Sequence, residues 1–103
     1  MEFVYSVNSI PIRLTSERWI HIVENHDELA GRFHEVLEAV GDPYLILKGK
    51  QGELLAVKLR KFLAFVAVYK EVSSSEGFII TAFETSKGKQ LIKTRKIVWQ
   101  KRQ

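Results

Sequence analysis

The apolar positions of the chain fall into two regimes: a helical period between about residues 16 and 40, and strand-like runs on either side of it. FVYSVNSIPIRL places β-branched and aromatic residues around a polar Asn8-Ser9 pair, which predicts two short strands meeting at a tight turn. Pro11, lacking an amide hydrogen, favours an edge position there. Thr15 or Ser16 can accept the free amides of a first helical turn and Glu17 suits its positive end, so a helix is predicted from about 16 to 25. Asp27 is placed to cap a second helix, DELAGRFHEVLEAV, in which Leu29, Phe33, Val36, Leu37 and Val40 recur at helical spacing and which GDP then stops.

Beyond residue 43 the period changes. YLILKG, ELLAVKL, KFLAFVAVYKEV and GFIITAFET are apolar runs separated by KQG, by Arg60-Lys61 and by SSSEG, each short enough for an antiparallel connection. KGKQLIKTRKIVW fits a closing helix or a last basic strand from Lys93 to Trp99, and the pattern does not separate the two. The expected architecture is α+β: an N-terminal β-hairpin and two helices packed on a twisted antiparallel sheet of about four strands, forming a single domain over residues 1–103.

Composition changes this picture little, and charge changes it more. With 46% hydrophobic and 27% charged residues the chain is an ordinary globular sequence rather than a disordered one. The absence of cysteine excludes disulfides, zinc thiolates and thiol nucleophiles. No charged start precedes an apolar core and no apolar run is long enough to span a bilayer, so the expectation is a protein without a membrane segment, working in the cytoplasm. Residues 1–84 carry nine Lys/Arg against twelve Asp/Glu, whereas residues 85–103 carry seven and none. The segment 86–103 is therefore a local positive field suited to a polyanion, with a solvated basic face as the plain alternative.

Candidate chemistry begins with RWIHIVENH. At about 100° per residue the apolar stripe of this helix centres between Trp19 and Val23; His26 falls within it and His21 opposite. His26 should lean toward the body of the protein, either as a helix-end imidazole complementing the dipole or as a proton-transfer group at the sheet. His21 should lean toward solvent. His34, among Arg32, Glu35 and Glu38, reads as a surface or packing residue. A metal centre is not expected, because His21 and His26 are five apart and cannot share a ligand face as an i, i+4 pair would. Thr81 and Thr85, with Phe83 between them, point to one face of a regular strand. Whether Lys70 or Glu71 joins them depends on a hairpin register that a one-residue slip reverses. Phe83, Tyr69 and Trp99 could stack on bases or fill the core.

The ordered set RWIHIVENHDEL, DPYLILKGKQGELLAVKL, FLAFVAVYKE, GFIITAFET and RKIVW resembles the phage- and toxin-associated nucleases of the barnase, EndoU, colicin-nuclease and RelE (BECR) fold group, over roughly residues 10 to 99. The resemblance implies a metal-independent endoribonuclease that needs no cofactor and cleaves RNA by attack of the 2′-hydroxyl. It implies His26 as the acid/base group, Lys58 and Lys70 as phosphate stabilisers, and Thr81 and Thr85 as hydrogen-bond donors; His21 also falls where such sequences have histidine, and Glu71 is a reserve base. Asp27-Glu28 departs from the His-Pro-Glu of that motif. Lys87, Lys89, Lys93, Arg95 and Lys96 would track the RNA backbone. A toxin or phage-related effector of this kind implies an acidic antitoxin or immunity protein as partner. A non-catalytic RNA-binding module on the same fold and a protein-interaction domain are the competing readings.

Overall fold

A computed structural model describes residues 2–102 of the chain. Strands β1 (Glu2–Tyr5) and β2 (Pro11–Leu14) form the expected antiparallel hairpin. Its turn is tight because Ser9 adopts a left-handed φ of 62°, and the Ser6 and Ser9 amides donate to the Ile10 and Ser6 carbonyls at 2.9 Å. Helix α1 (Ser16–Asn25) follows the predicted bounds, with the Thr15 hydroxyl accepting the Arg18 amide at 3.1 Å.

The second helix is shorter than the sequence suggests. Asp27 does not cap it: residues Asp27–Leu29 make a 3-10 turn, Gly31 takes φ 80°, and α2 runs only over Phe33–Gly41. A left-handed residue cannot continue a right-handed helix, so the glycine breaks an otherwise periodic stretch. Leu29 is fully buried at that break.

The four central runs become β3 (Leu45–Lys48), β4 (Leu54–Leu59), β5 (Ala64–Ser73) and β6 (Glu76–Thr85), each antiparallel to the next. The C-terminal stretch is both things its pattern allowed: helix α3 (Gly88–Thr94), then strand β7 (Ile97–Gln100). The sheet, however, is not an antiparallel one of about four strands. It is mixed, with seven strands in the order β1-β2-β6-β5-β4-β3-β7. The N-terminal hairpin extends the sheet through parallel pairing of Ile12 with Gly77 and Arg13 with Phe78, and β7 adds antiparallel to β3 at the other end. Pro11 consequently belongs to an interior strand rather than an edge, tolerated because it precedes the first β6 pairing at Ile12.

The two faces of the sheet differ. Helices α1 and α2 cover one, where Ile12, Leu14, Ile22, Val36, Val40, Phe65, Tyr69 and Ala82 form the main core. Each large side chain so buried stabilises by roughly 1.5–3 kcal/mol. On the other face Leu45, Leu47, Leu55, Val57, Val66 and Val68 form a second cluster, partly roofed by Leu91 and Ile92 of α3. An ion-pair network closes the end of the main core: Arg32 donates to Glu35 at 2.9 and 3.1 Å and to Glu84 at 2.9 Å, and Arg60 reaches Glu35 at 2.9 Å. Hydrogen bonding by Arg32 holds both carboxyls below the usual carboxylate range. Among the described residues, no helix is long and apolar enough to cross a membrane.

Candidate nucleic-acid interface

The face not covered by α1 and α2 is where the polar residues of β5 and β6 converge, and strand register explains why. Val68 opposes Thr81, Val66 opposes Phe83 and Ala64 opposes Thr85, so both threonines and Phe83 stand on the α3 side of the sheet. A register shift beside Val68 leaves Ile80 as an extra residue, after which Lys70 opposes Phe78 and Glu71 opposes Gly77. Lys70 therefore shares the Thr81 face, and Glu71 is turned to the other. Glu71 is occupied there by the N-terminal hairpin, accepting from the Ser6 hydroxyl at 2.6 Å and the Asn8 amide at 3.1 and 3.2 Å.

Two hollows adjoin on this face and share Phe83 and Leu91 as their common wall. The first, of about 500 Å³, is bounded by Lys70, Phe78, Thr81, Glu53 and Arg95. The second, of about 480 Å³, is bounded by Thr85, Lys87, Gln90, Lys93 and Thr94. Four cations thus face one carboxylate. Arg95 is half-buried and its Nε, enclosed by protein, has no hydrogen-bond partner among the described residues; a charged donor in that position favours an anionic acceptor. Glu53 accepts its own amide and that of Gln51, the latter at 2.8 Å, and these bonds, reinforced by the charges of Arg95 and Lys70, hold its carboxyl below the usual range.

Other predicted residues sit elsewhere. His26 is the C-cap of α1, its side chain about one-third exposed, with its ring 6.1 Å from that of Phe83 and Nδ1 3.7 Å from Glu28. It stands beside Phe83 and bounds neither hollow. His21 is exposed on the opposite side of α1, 3.9 Å from Glu24. His34 is exposed and edge-on to Phe33. Lys58 opposes Phe65 and so lies on the helix-bearing face, 3.6 Å from Asp42; the structure does not bring it together with Lys70. Of the basic segment, Lys87, Lys93 and Arg95 bound the hollows, while Lys89 and Lys96 are exposed beside them. Tyr69 is fully buried and belongs to the core, and Trp99 pairs across from Ile46 on the helix-bearing side. Sequence reasoning overlooked Glu53, whose only signal was an isolated acid after the glycine of KGKQGE. Among the described residues no group of three or more His, Asp or Glu side chains could hold a metal ion.

Comparison of the chain with protein-family models, with curated proteins and with solved structures finds no match.

Proposed function

We propose that the protein is a metal-independent endoribonuclease acting in the cytoplasm, with the Thr81 face as its RNA groove. The observation that carries this reading is the convergence of Lys70, Arg95, Lys87 and Lys93 with Thr81 and Thr85 around two aromatic rings, Phe83 and Phe78. Such a face offers charge for consecutive phosphates, hydroxyls to orient them and a ring on which a base can stack. In the proposed reaction the 2′-oxygen attacks phosphorus and the bond from phosphorus to the 5′-oxygen breaks, leaving a cyclic phosphate and a 5′-hydroxyl. His26, beside Phe83, is the acid/base group, since imidazole suits proton transfer near neutrality. Lys70 and Arg95 stabilise charge developing on the phosphoryl oxygens, and Thr81 and Thr85 donate to them. Lys58 has no part in this, and Glu71 is engaged by the hairpin. A toxin-like role with an acidic neutralising protein accords with this reading.

One observation favours a second reading, an RNA-binding module without catalysis: none of the side chains bounding the hollows is a histidine. Incubating wild type and His26→Ala with labelled RNA in excess EDTA separates the two. Cleavage by wild type that falls at least about 100-fold in the variant, with RNA affinity retained, is the expected result. Salt-sensitive binding without cleavage by either protein supports the module, and equal cleavage by both removes His26 from the mechanism.

A further inference from the structure

A hollow of about 340 Å³ opens between the tip of the N-terminal hairpin, at Val7 and Asn8, and the β3–β7 end of the sheet, at Ile46, Lys48 and Trp99. It contains none of the cations of the RNA groove. Leu54 and Val98 extend an apolar wall around the half-buried Trp99. Glu71 lines the hollow, also half-buried, and is fixed from the hairpin: the Ser6 hydroxyl donates to Oε2 at 2.6 Å, and the Asn8 amide donates to Oε1 and Oε2 at 3.1 and 3.2 Å. Ser6 is itself only 5% exposed, and the turn that carries Asn8 to the carboxylate is closed by Ser9 at a left-handed φ of 62°. Serine is strained at such an angle, and strain of this kind concentrates at binding sites. All the donors to Glu71 are neutral, and among the described residues it has no ion-pair partner. Charges partly withdrawn from water are ordinarily paired, so this carboxylate keeps an attraction for a cation.

We propose that the hollow binds an organic monoammonium ion, a single ammonium group carried on an apolar body. Glu71 Oε1 accepts one bond where a carboxylate oxygen can accept two, and the Asn8 side-chain carbonyl accepts none among the described residues. Two neighbouring acceptors suit a group with three donors, and the indole of Trp99 adds attraction for the cation and contact area for the body that carries it. Leu54, Ile46 and Val98 offer that body aliphatic contact. Glu53 also lines the hollow, but it already accepts the Gln51 amide and feels the charges of Arg95 and Lys70, which leaves Glu71 as the carboxylate that answers the ligand. Lys48, exposed and without an ion-pair partner among the described residues, repels a second positive charge. Monoamines are therefore favoured over diamines. The site does not depend on whether the protein cleaves RNA.

The test is titration of the isotopically labelled full chain with phenethylammonium chloride, following the Trp99 indole N–H and the amides of Asn8, Lys48 and Glu71. Saturable shifts at these positions are expected, with phenethyl alcohol, the same body without the charge, at least about tenfold weaker. Glu71→Gln should weaken the amine by at least about the same factor. Because that substitution also alters the hold on the hairpin, Lys48→Glu is measured beside it: this side chain is exposed, and the change should strengthen binding of the cadaverine dication about tenfold. Absence of saturable shifts at Trp99, alcohol binding equal to the amine, or cadaverine binding indifferent to Lys48→Glu overturns the proposal. Nα-acetyl-lysine amide divides the sources of the ammonium group: tighter binding than phenethylammonium assigns it to a peptide side chain and weaker binding to a free amine, and either outcome supports the site.

Discussion

Gly77 occupies the position at which the N-terminal hairpin joins the rest of the sheet, opposite Ile12 of β2 on one side and Glu71 of β5 on the other. A methyl group there would meet the Ile12 side chain and come within 2.6 Å of the Lys70 carbonyl oxygen. Backbone cannot retreat as a flexible side chain can, so the usual gain from replacing a strand glycine is outweighed by overpacking. Gly77→Ala is expected to lose about 1–3 kcal/mol in denaturant unfolding, with cross-strand contacts between Ile12 and Gly77 weakened in the spectrum. Unchanged stability would show that the hairpin can shift without cost. The residue scale also accounts for what the sequence left unsettled around Lys70 and Glu71: a single extra residue, Ile80, decides which of them faces Thr81, and apolar alternation carries no trace of it because Ile79, Ile80 and Thr81 are all acceptable strand formers.

At the scale of elements, α2, β6 and the β4–β5 connection are tied by charge as well as by packing. Arg32 keeps a quarter of its side-chain surface exposed and Glu84 about 15%, so the pair is neither a surface ornament nor fully desolvated. Glu35 and Glu84 have folded-state pKa values depressed below 4.5, chiefly by the hydrogen bonds from Arg32. The stabilisation they contribute is therefore present above their unfolded pKa and lost as pH falls through the folded values. Arg32→Ala is expected to cost about 1–2 kcal/mol at neutral pH, the partial exposure keeping it below the cost of breaking a buried pair. It should also flatten the acid limb of the stability curve below about pH 4.5. An acid limb identical to that of the wild type, measured by thermal unfolding between pH 2 and pH 7, would mean that other carboxylates govern acid unfolding.

Over the whole molecule, cations from distant parts of the chain gather on the α3 face of the sheet. Helices α1 and α2 with their acidic residues cover one side of the sheet, and the positive segment after β6 folds back through α3 onto the other, bringing Lys87, Lys93 and Arg95 beside Lys70. If these four cations contact phosphates of single-stranded RNA, the logarithm of the affinity should fall with that of the salt concentration at a slope of about −3. Lys93→Gln should reduce the slope by about 0.7, because it removes one released counterion. A salt-independent affinity would assign RNA contacts to some other surface.

Local order was determined by the sequence itself. The hairpin around Asn8-Ser9, helix α1 with its Thr15 cap, the succession β3 to β6 and the placement of His26 toward the body and His21 toward solvent all follow from periodicity, turn residues and capping, which act between near neighbours. Tertiary structure alone decided the parallel union of β2 with β6, the addition of β7 to β3, the separation of Lys58 from Lys70 by a whole sheet, and the entry of Glu53 into the hollow bounded by Lys70 and Thr81. Those outcomes depend on pairing between residues far apart in the chain, where a close glycine, a single bulge residue or a left-handed turn redirects entire strands without altering the hydrophobic pattern on which sequence reading relies.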